Sequence, residues 1–178
     1  MTTSAEPGVV STLASKNTLT ESLENAVQEW LCEITGLESD AVTPTFEEVE
    51  RILNKPNVVY FYFGEPTSLA TEARQIDDER QDVKFTKTIT LHLIFYGKQA
   101  RNLATKLCDD CEVNQSTFDL YKVGLGYVNA AITVILLEPL SKRYIKRVDV
   151  DIDFNYVYTK TYAINKINDV NIEVKHDT

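Results

Sequence analysis

Histidine is almost missing from this chain, with only His92 and His176, and glycine is sparse at six residues in 178. His92 sits in an alternating stretch and His176 near the last residue, and neither has a nucleophile and an orienting partner marked beside it, so no histidine-based catalytic set is legible. Gly-x-Gly-x-x-Gly, Walker and Gly-x-Ser-x-Gly patterns are all missing. Gly124-Leu125-Gly126 lacks a third glycine and precedes a strand-like stretch rather than a helix. Cysteine is limited to Cys32, Cys108 and Cys111, an odd number that makes no disulfide framework; reduced thiols in a protein made in cytoplasm are expected. No window approaches the ~18 consecutive apolar residues of a membrane span. Met1 to Lys16 lacks the basic and then apolar pattern of a signal peptide, so no membrane partner is expected.

Positive charge is also short. The chain carries 18 Lys and Arg against 27 Asp and Glu, a net −9. That disfavours nucleic acid as a tightly held ligand, because such affinity comes from cations neutralising phosphates. What is present is ordinary for a globular protein, with 43% hydrophobic and 25% charged residues. A domain of this size buries roughly 70% of its unfolded surface and needs no covalent staples.

Residues 1–17 are rich in Ser, Thr and Ala and are expected as a flexible tail, with one domain over 18–178. Thr18 and Glu21 form a capping box, and Leu19, Leu23, Ala26, Val27, Trp30, Leu31 and Ile34 follow at helical spacing. Gly36 supplies a left-handed end. From Glu38 to Pro56 the pattern is open: Phe46, Val49, Ile52 and Leu53 fit a short helix, or a strand enters at Arg51. Val58 to Phe63 is apolar on both faces and predicts a strand covered on both sides. The polar stretch 64–82 reads as a long hairpin arm. Ile89, Leu91, Leu93 and Phe95 then alternate with Thr88, Thr90 and His92 in the second hairpin strand.

After Gly97 a second amphipathic helix uses Ala100, Leu103, Ala104, Leu107, Cys108 and Cys111, and Gln115 to Lys122 adds a short helical turn. Val128, Ala130, Ile132, Val134 and Leu136 form a strand that Pro139 is expected to end. Val148, Val150, Ile152, Phe154, Tyr156 and Tyr158 alternate with Arg147, Asp149, Asp151, Asp153 and Asn155. Val170, Ile172 and Val174 mark a last strand. The order predicts an α+β fold of two layers, a mostly antiparallel sheet with two amphipathic helices on one face.

Three groups invite a chemical reading. Cys108 and Cys111 have metal-ligand spacing, but a structural zinc needs four ligands and no second pair exists. They fall at a helix end, where the dipole raises a thiol pKa, so core packing fits better than redox chemistry. Asp149, Asp151 and Asp153 stand ~6.7 Å apart along one strand face, too far to share an ion without other ligands. They form either a solvated polar face or a negative stripe that repels DNA phosphates from a channel wall. Tyr60 and Tyr62 share a strand face and suit either an interface or a core. Asp77, Asp78 and Arg80, at the hairpin tip, join the two tyrosines as a candidate subunit or partner interface. No catalytic residue, metal ligand or cofactor is expected.

Several of these segments together resemble the neck and tail-terminator proteins of tailed bacteriophages. The likeness lies in Trp30-Leu31 with Thr35-Gly36-Leu37, in Pro56 leading into Val58–Phe63, in Thr88–Phe95 running through Tyr96-Gly97-Lys98-Gln99-Ala100 into a helix, and in Gly124 to Gly126. It spans about Leu19 to Val174. The resemblance implies a non-enzymatic virion protein, assembled in the host cytoplasm, that forms a homohexameric ring at the head–tail joint. Such a ring caps the tail tube and docks it to the neck, with tube, sheath and connector proteins as partners and DNA passing through unbound. The acidic stretch Glu38 to Glu50 departs from the pattern and leaves terminator, stopper and adaptor layers open. A small enzyme with a hidden site and a monomeric binding module are the readings from other classes.

Overall fold

A computed structural model describes residues 13–44, 52, 54–76 and 80–163. Helix α1 (Leu13–Thr35) starts earlier than the capping box predicts. Leu13, Ala14 and Lys16 are good helix formers and no proline interrupts them, so the helix propagates back through Thr18, which is interior and not a cap. Its far end follows the sequence. Gly36 adopts φ +69°, and its N–H reaches the Cys32 carbonyl at 2.9 Å.

A 3-10 turn (Ser39–Ala41) leads into β1 (Val42–Thr43), which pairs parallel with β2 (Asn57–Phe63). Of the ambiguous segment before Pro56, Phe46, Val49 and Leu53 lie outside the described residues, and Ile52 is helical and buried. The chain continues through β3 (Thr67–Gln75), β4 (Arg80–Gly97), α2 (Ala100–Cys111), α3 (Asn114–Lys122), β5 (Gly126–Leu140) and β6 (Arg143–Ala163). The expected strand at Val170–Val174 falls outside the described residues. The sheet order is β1-β2-β4-β6-β5, with β3 also paired to β4. Every pairing but β1–β2 is antiparallel, so the fold is mixed α+β as the sequence predicts.

Two details differ from expectation, and a third follows it. The stretch 64–82 contains strand β3, whose nine residues are all exposed. An exposed strand needs no apolar alternation, so periodicity is blind to it; its order comes from the backbone ladder between Thr67↔Thr88 and Gln75↔Gln81. The short helical turn foreseen over Gln115–Lys122 is present as α3, tied to α1 by the Trp30 indole N–H donating to the Ser116 carbonyl at 2.6 Å. Pro139 does not end its strand: β5 continues to Leu140, with Pro139 opposite Tyr144. β5 is the outermost strand, and an edge tolerates a residue without an N–H.

Period-two alternation sorts the sheet residues into two clusters. Val59, Phe61, Leu91, Leu93, Phe95, Val148, Val150, Ile152 and Phe154 join Val27, Trp30, Leu31, Ile34, Ala104, Leu107, Cys111 and Leu120 of the helices in the main core. The alternate positions Val58, Tyr60, Ile94 and Tyr96 join Ile52 in a second, smaller cluster. The turn from β4 into α2 explains the Tyr96-Gly97 step. Gly97 has φ +121°, and a Cβ there would collide with the Pro56 carbonyl oxygen and lie 2.6 Å from Asn57 Oδ1. That same Asn57 oxygen accepts the Gln99 N–H at 2.9 Å.

Phe154 is fully buried in the main core, so Phe154→Ala is expected to cost about 3–5 kcal/mol in urea unfolding. Gly97→Ala is expected to be at least as damaging as a typical core truncation, roughly 2–5 kcal/mol, because backbone and not a yielding side chain blocks the new methyl. A loss below about 1 kcal/mol for either, the size of an ordinary surface change, contradicts this packing.

Candidate functional site

The face of β6 turned from the helices carries Asp149, Asp151, Asp153 and Asn155 in sequence alternation, and β4 sets a partner opposite most of them. The register places His92 across from Asp151, Thr90 from Asp153 and Thr88 from Asn155. The side chains meet accordingly. His92 Nδ1 lies 2.7 Å from Asp151 Oδ1, Thr90 Oγ1 donates to Asp153 Oδ1 at 2.6 Å, and Thr88 Oγ1 donates to Asn155 Oδ1 at 2.9 Å. Arg147 grips Asp149 with Nε and Nη2, both at 2.8 Å, and reaches Glu138 on β5 at 3.1 Å. The Tyr96 hydroxyl donates to the same Glu138 carboxylate at 2.7 Å.

This row therefore ties β4, β6 and β5 together. The hydrogen bonds from Arg147 to Asp149 raise the guanidinium pKa and hold it charged, and burial, then the bond to Glu138, pushes the Tyr96 phenol up. The three aspartates share one face, as the alternation predicts, and each is engaged. Asp149 is neutralised by Arg147, while Asp151 and Asp153 accept from groups that leave their charge facing outward.

His92 also stacks on Tyr62, with ring centres 4.8 Å apart. Its Nε2 is bordered by Gly64, where an added Cβ would stand 3.0 Å away. A His–Asp pair thus exists, with Gly64 beside the nitrogen that would activate a nucleophile. Tyr62 is 51% exposed, whereas Tyr60, its neighbour on the same face, is 2% exposed and packs edge-on against Tyr96. Asp77 and Asp78 lie outside the described residues, and Arg80 is exposed, its carbonyl accepting the Ile76 N–H at 3.0 Å.

Cys111 is buried in the main core and Cys108 packs against it. Burial first, then Cys108, Asp110 and Glu112, pushes the Cys111 thiol up to about 12. Burial likewise raises Cys32 and Cys108. A thiol held protonated is a poor nucleophile and a poor metal ligand. Among the described residues no group of three or more His, Cys, Asp or Glu could hold a metal ion, and no helix is long and apolar enough to cross a membrane.

One unexpected surface is apolar. On the outer strand β5, Val134, Ile135, Leu136 and Leu137 are all exposed, and Tyr144 across the hairpin is 76% exposed. A bulge between Ile132 and Val134 reverses the alternation, so Val134 and Leu136 leave the face that Ile132 shares. Phe118 and Tyr121 of α3 are exposed as well. Beyond the helices, Phe85 stacks on Tyr158 at 5.0 Å, with Lys87 and Lys160 over the Tyr158 ring at 5.5 and 5.7 Å. Four consecutive large apolar residues at 134–137 were a visible signal, since a strand buries one face more readily than both. Contiguous exposed apolar surface is a common property of protein interaction sites.

A family model described as phage neck terminator protein matches residues 21–178. Among curated proteins nothing matches the chain.

The buried thiol has a consequence for stability. An unfolded cysteine titrates near 9.0, while folded Cys111 holds its proton to about 12. Above the lower value the unfolded chain binds fewer protons, so stability falls as pH rises through that window. Urea midpoints are expected to drop as pH rises above 9.0 toward about 12, and Cys111→Ala to flatten the slope. An unchanged slope in that variant would exclude the thiol as its source.

Proposed function

The chain belongs to the phage neck terminator family, and from that premise we propose that it acts by closing into a homohexameric ring that caps the tail tube. As a phage neck protein it is a structural component of the virion and associates with other neck and tail proteins. Of the layers that the sequence left open, the family description names the terminator. The ring, the docking of tube to neck and the passage of DNA through the bore are our reading, as is its non-enzymatic character.

One observation carries that reading: the sheet has two unlike open edges. On one side β5 presents exposed apolar residues along a 15-residue strand, and on the other β3 exposes all nine of its residues. Unlike surfaces that meet head to tail generate rings when the rotation closes, and an open apolar edge on a lone subunit is an aggregation hazard. We take 18–178 as one two-layered unit and 1–17 as a tail whose last residues wind into α1. The β3–β4 ribbon serves as the arm, with Tyr62 and Arg80 at contact surfaces, Tyr60 supporting Tyr62 from within, and Asp77 and Asp78 at the tip. Tail-tube, sheath and connector proteins are the axial partners, and assembly takes place in the host cytoplasm.

In this reading the row Asp149, Asp151, Asp153 faces the bore. The outward charge of Asp151 and Asp153 repels phosphates and lets DNA slide without a tight contact. Replacing all three with Asn keeps an acceptor oxygen for Thr90 and for His92 and one of the two that Arg147 uses on Asp149, so the chain is expected to stay folded with a lowered unfolding temperature. DNA ejection from virions carrying the triple variant is expected to slow, and unchanged ejection and infectivity would remove the row from the bore. Counting copies per virion by quantitative mass spectrometry tests the ring itself: six copies are expected, and a single copy would refute it.

A further inference from the structure

The edge of β5 is too apolar to be a finished surface. Ile135 is 55% exposed and Leu137 60%. The register sets them opposite Val148 and Lys146, on the side of the sheet that carries the helices. The adjoining hairpin is basic: Lys142, Arg143 and Lys146 lie between Pro139 and Arg147 with no acidic residue among them, while Arg147 is taken by Asp149 and Glu138. The complementary element is a short extended segment with an apolar face, acidic side chains and free backbone groups.

Residues 169–174 have that composition. Val170, Ile172 and Val174 alternate with Asp169, Asn171 and Glu173, two acids and no base in six residues. We propose that this segment of one copy adds as a strand to the β5 edge of the next copy, covering Ile135 and Leu137, with Asp169 and Glu173 near the basic hairpin. Strand addition of this kind takes affinity from main-chain hydrogen bonds and register from alternate side chains. The inference deepens the ring reading above and rests on it.

The length of the chain decides between its own edge and a neighbour's. β6 leaves the described structure at Ala163, opposite Arg80 at the far end of β4, while Leu137 pairs with Lys146 near the other end of β6. Those points are 17 positions apart on the strand, roughly 56 Å at the rise of an extended chain. Ile172 is nine positions past Ala163 and reaches about 31 Å even when fully extended. The segment therefore falls short of the apolar part of its own β5. In a head-to-tail ring the next subunit's edge is the one on offer.

The test uses virions assembled with two full-length chains together, one carrying Leu137→Cys and the other Ile172→Cys. Any disulfide between 137 and 172 is then intermolecular. The thiols of Cys32, Cys108 and Cys111 are all raised by burial and compete poorly. Mild oxidation is expected to give a reducible dimer containing the 137–172 peptide, and Val170→Asp in the Ile172→Cys chain to lower its yield roughly tenfold, as for a lost anchor. Ile135→Cys serves as a second reporter if Leu137→Cys chains fail to enter particles. A chain bearing both cysteines that closes internally at monomer mass would overturn the proposal. So would a link from 137 to Ala73→Cys on a neighbour's β3, or no link in particles whose six-copy ring is intact. Those outcomes leave the ring reading standing; virions with a single copy would sink that reading instead.

Discussion

The ladder between β4 and β6 organises the rest of the subunit. It runs without a bulge from Arg80 opposite Ala163 to Tyr96 opposite Arg147. Because side chains alternate with a strict period of two, this register decides everything above and below it. It aligns Leu91, Leu93 and Phe95 with Ile152, Val150 and Val148 beneath the helices, and on the reverse it aligns Thr88, Thr90 and His92 with Asn155, Asp153 and Asp151. A slip by one residue would drive three aspartates into the core, at several kcal/mol for each unpaired charge. Hydrophobic burial and polar pairing thus select the same register from opposite faces, the agreement between levels that a well-specified fold requires.

The same ladder is longer than the core that covers it. Helix contacts and β2 end near Leu91, while β4 and β6 continue to Arg80 and Ala163, and the outer strand β5 opposes β6 only as far as Asn155. The excess is a ribbon whose aromatic and lysine side chains, Phe85, Tyr158, Lys87 and Lys160, are ordered by one another and not by the core. A subunit built this way holds its stability at the centre and carries its unsatisfied edges and apolar surface outside. That is poor economy for a chain acting alone and suits one completed by neighbours.

Much of the interior was legible in the sequence because burial writes itself as periodicity. The α1 stripe from Leu23 to Ile34, the alternation from Val148 to Phe154 and the α2 face from Ala100 to Cys111 all followed from spacing, and Gly36 and Gly97 mark the left-handed positions foreseen as breaks. Strand β3 was not legible, because a strand exposed on both faces has no apolar period. The face reversal in β5 was hidden by its bulge, which shifts alternation without changing composition. The Thr18 cap failed because a capping box is a local signal, and good helix formers upstream override it. At the candidate surface, the aspartate row was visible as a pattern. Its cross-strand partners His92 and Thr90 were not, since strand register across β4 and β6 belongs to the tertiary structure.

A cryo-EM map of the neck at side-chain resolution tests the central claim most directly. A closed ring of this chain, with the Ile135 and Leu137 edge of every copy covered by its neighbour, is the predicted result. A lone copy, or a ring in which that edge stands open to solvent, would contradict it.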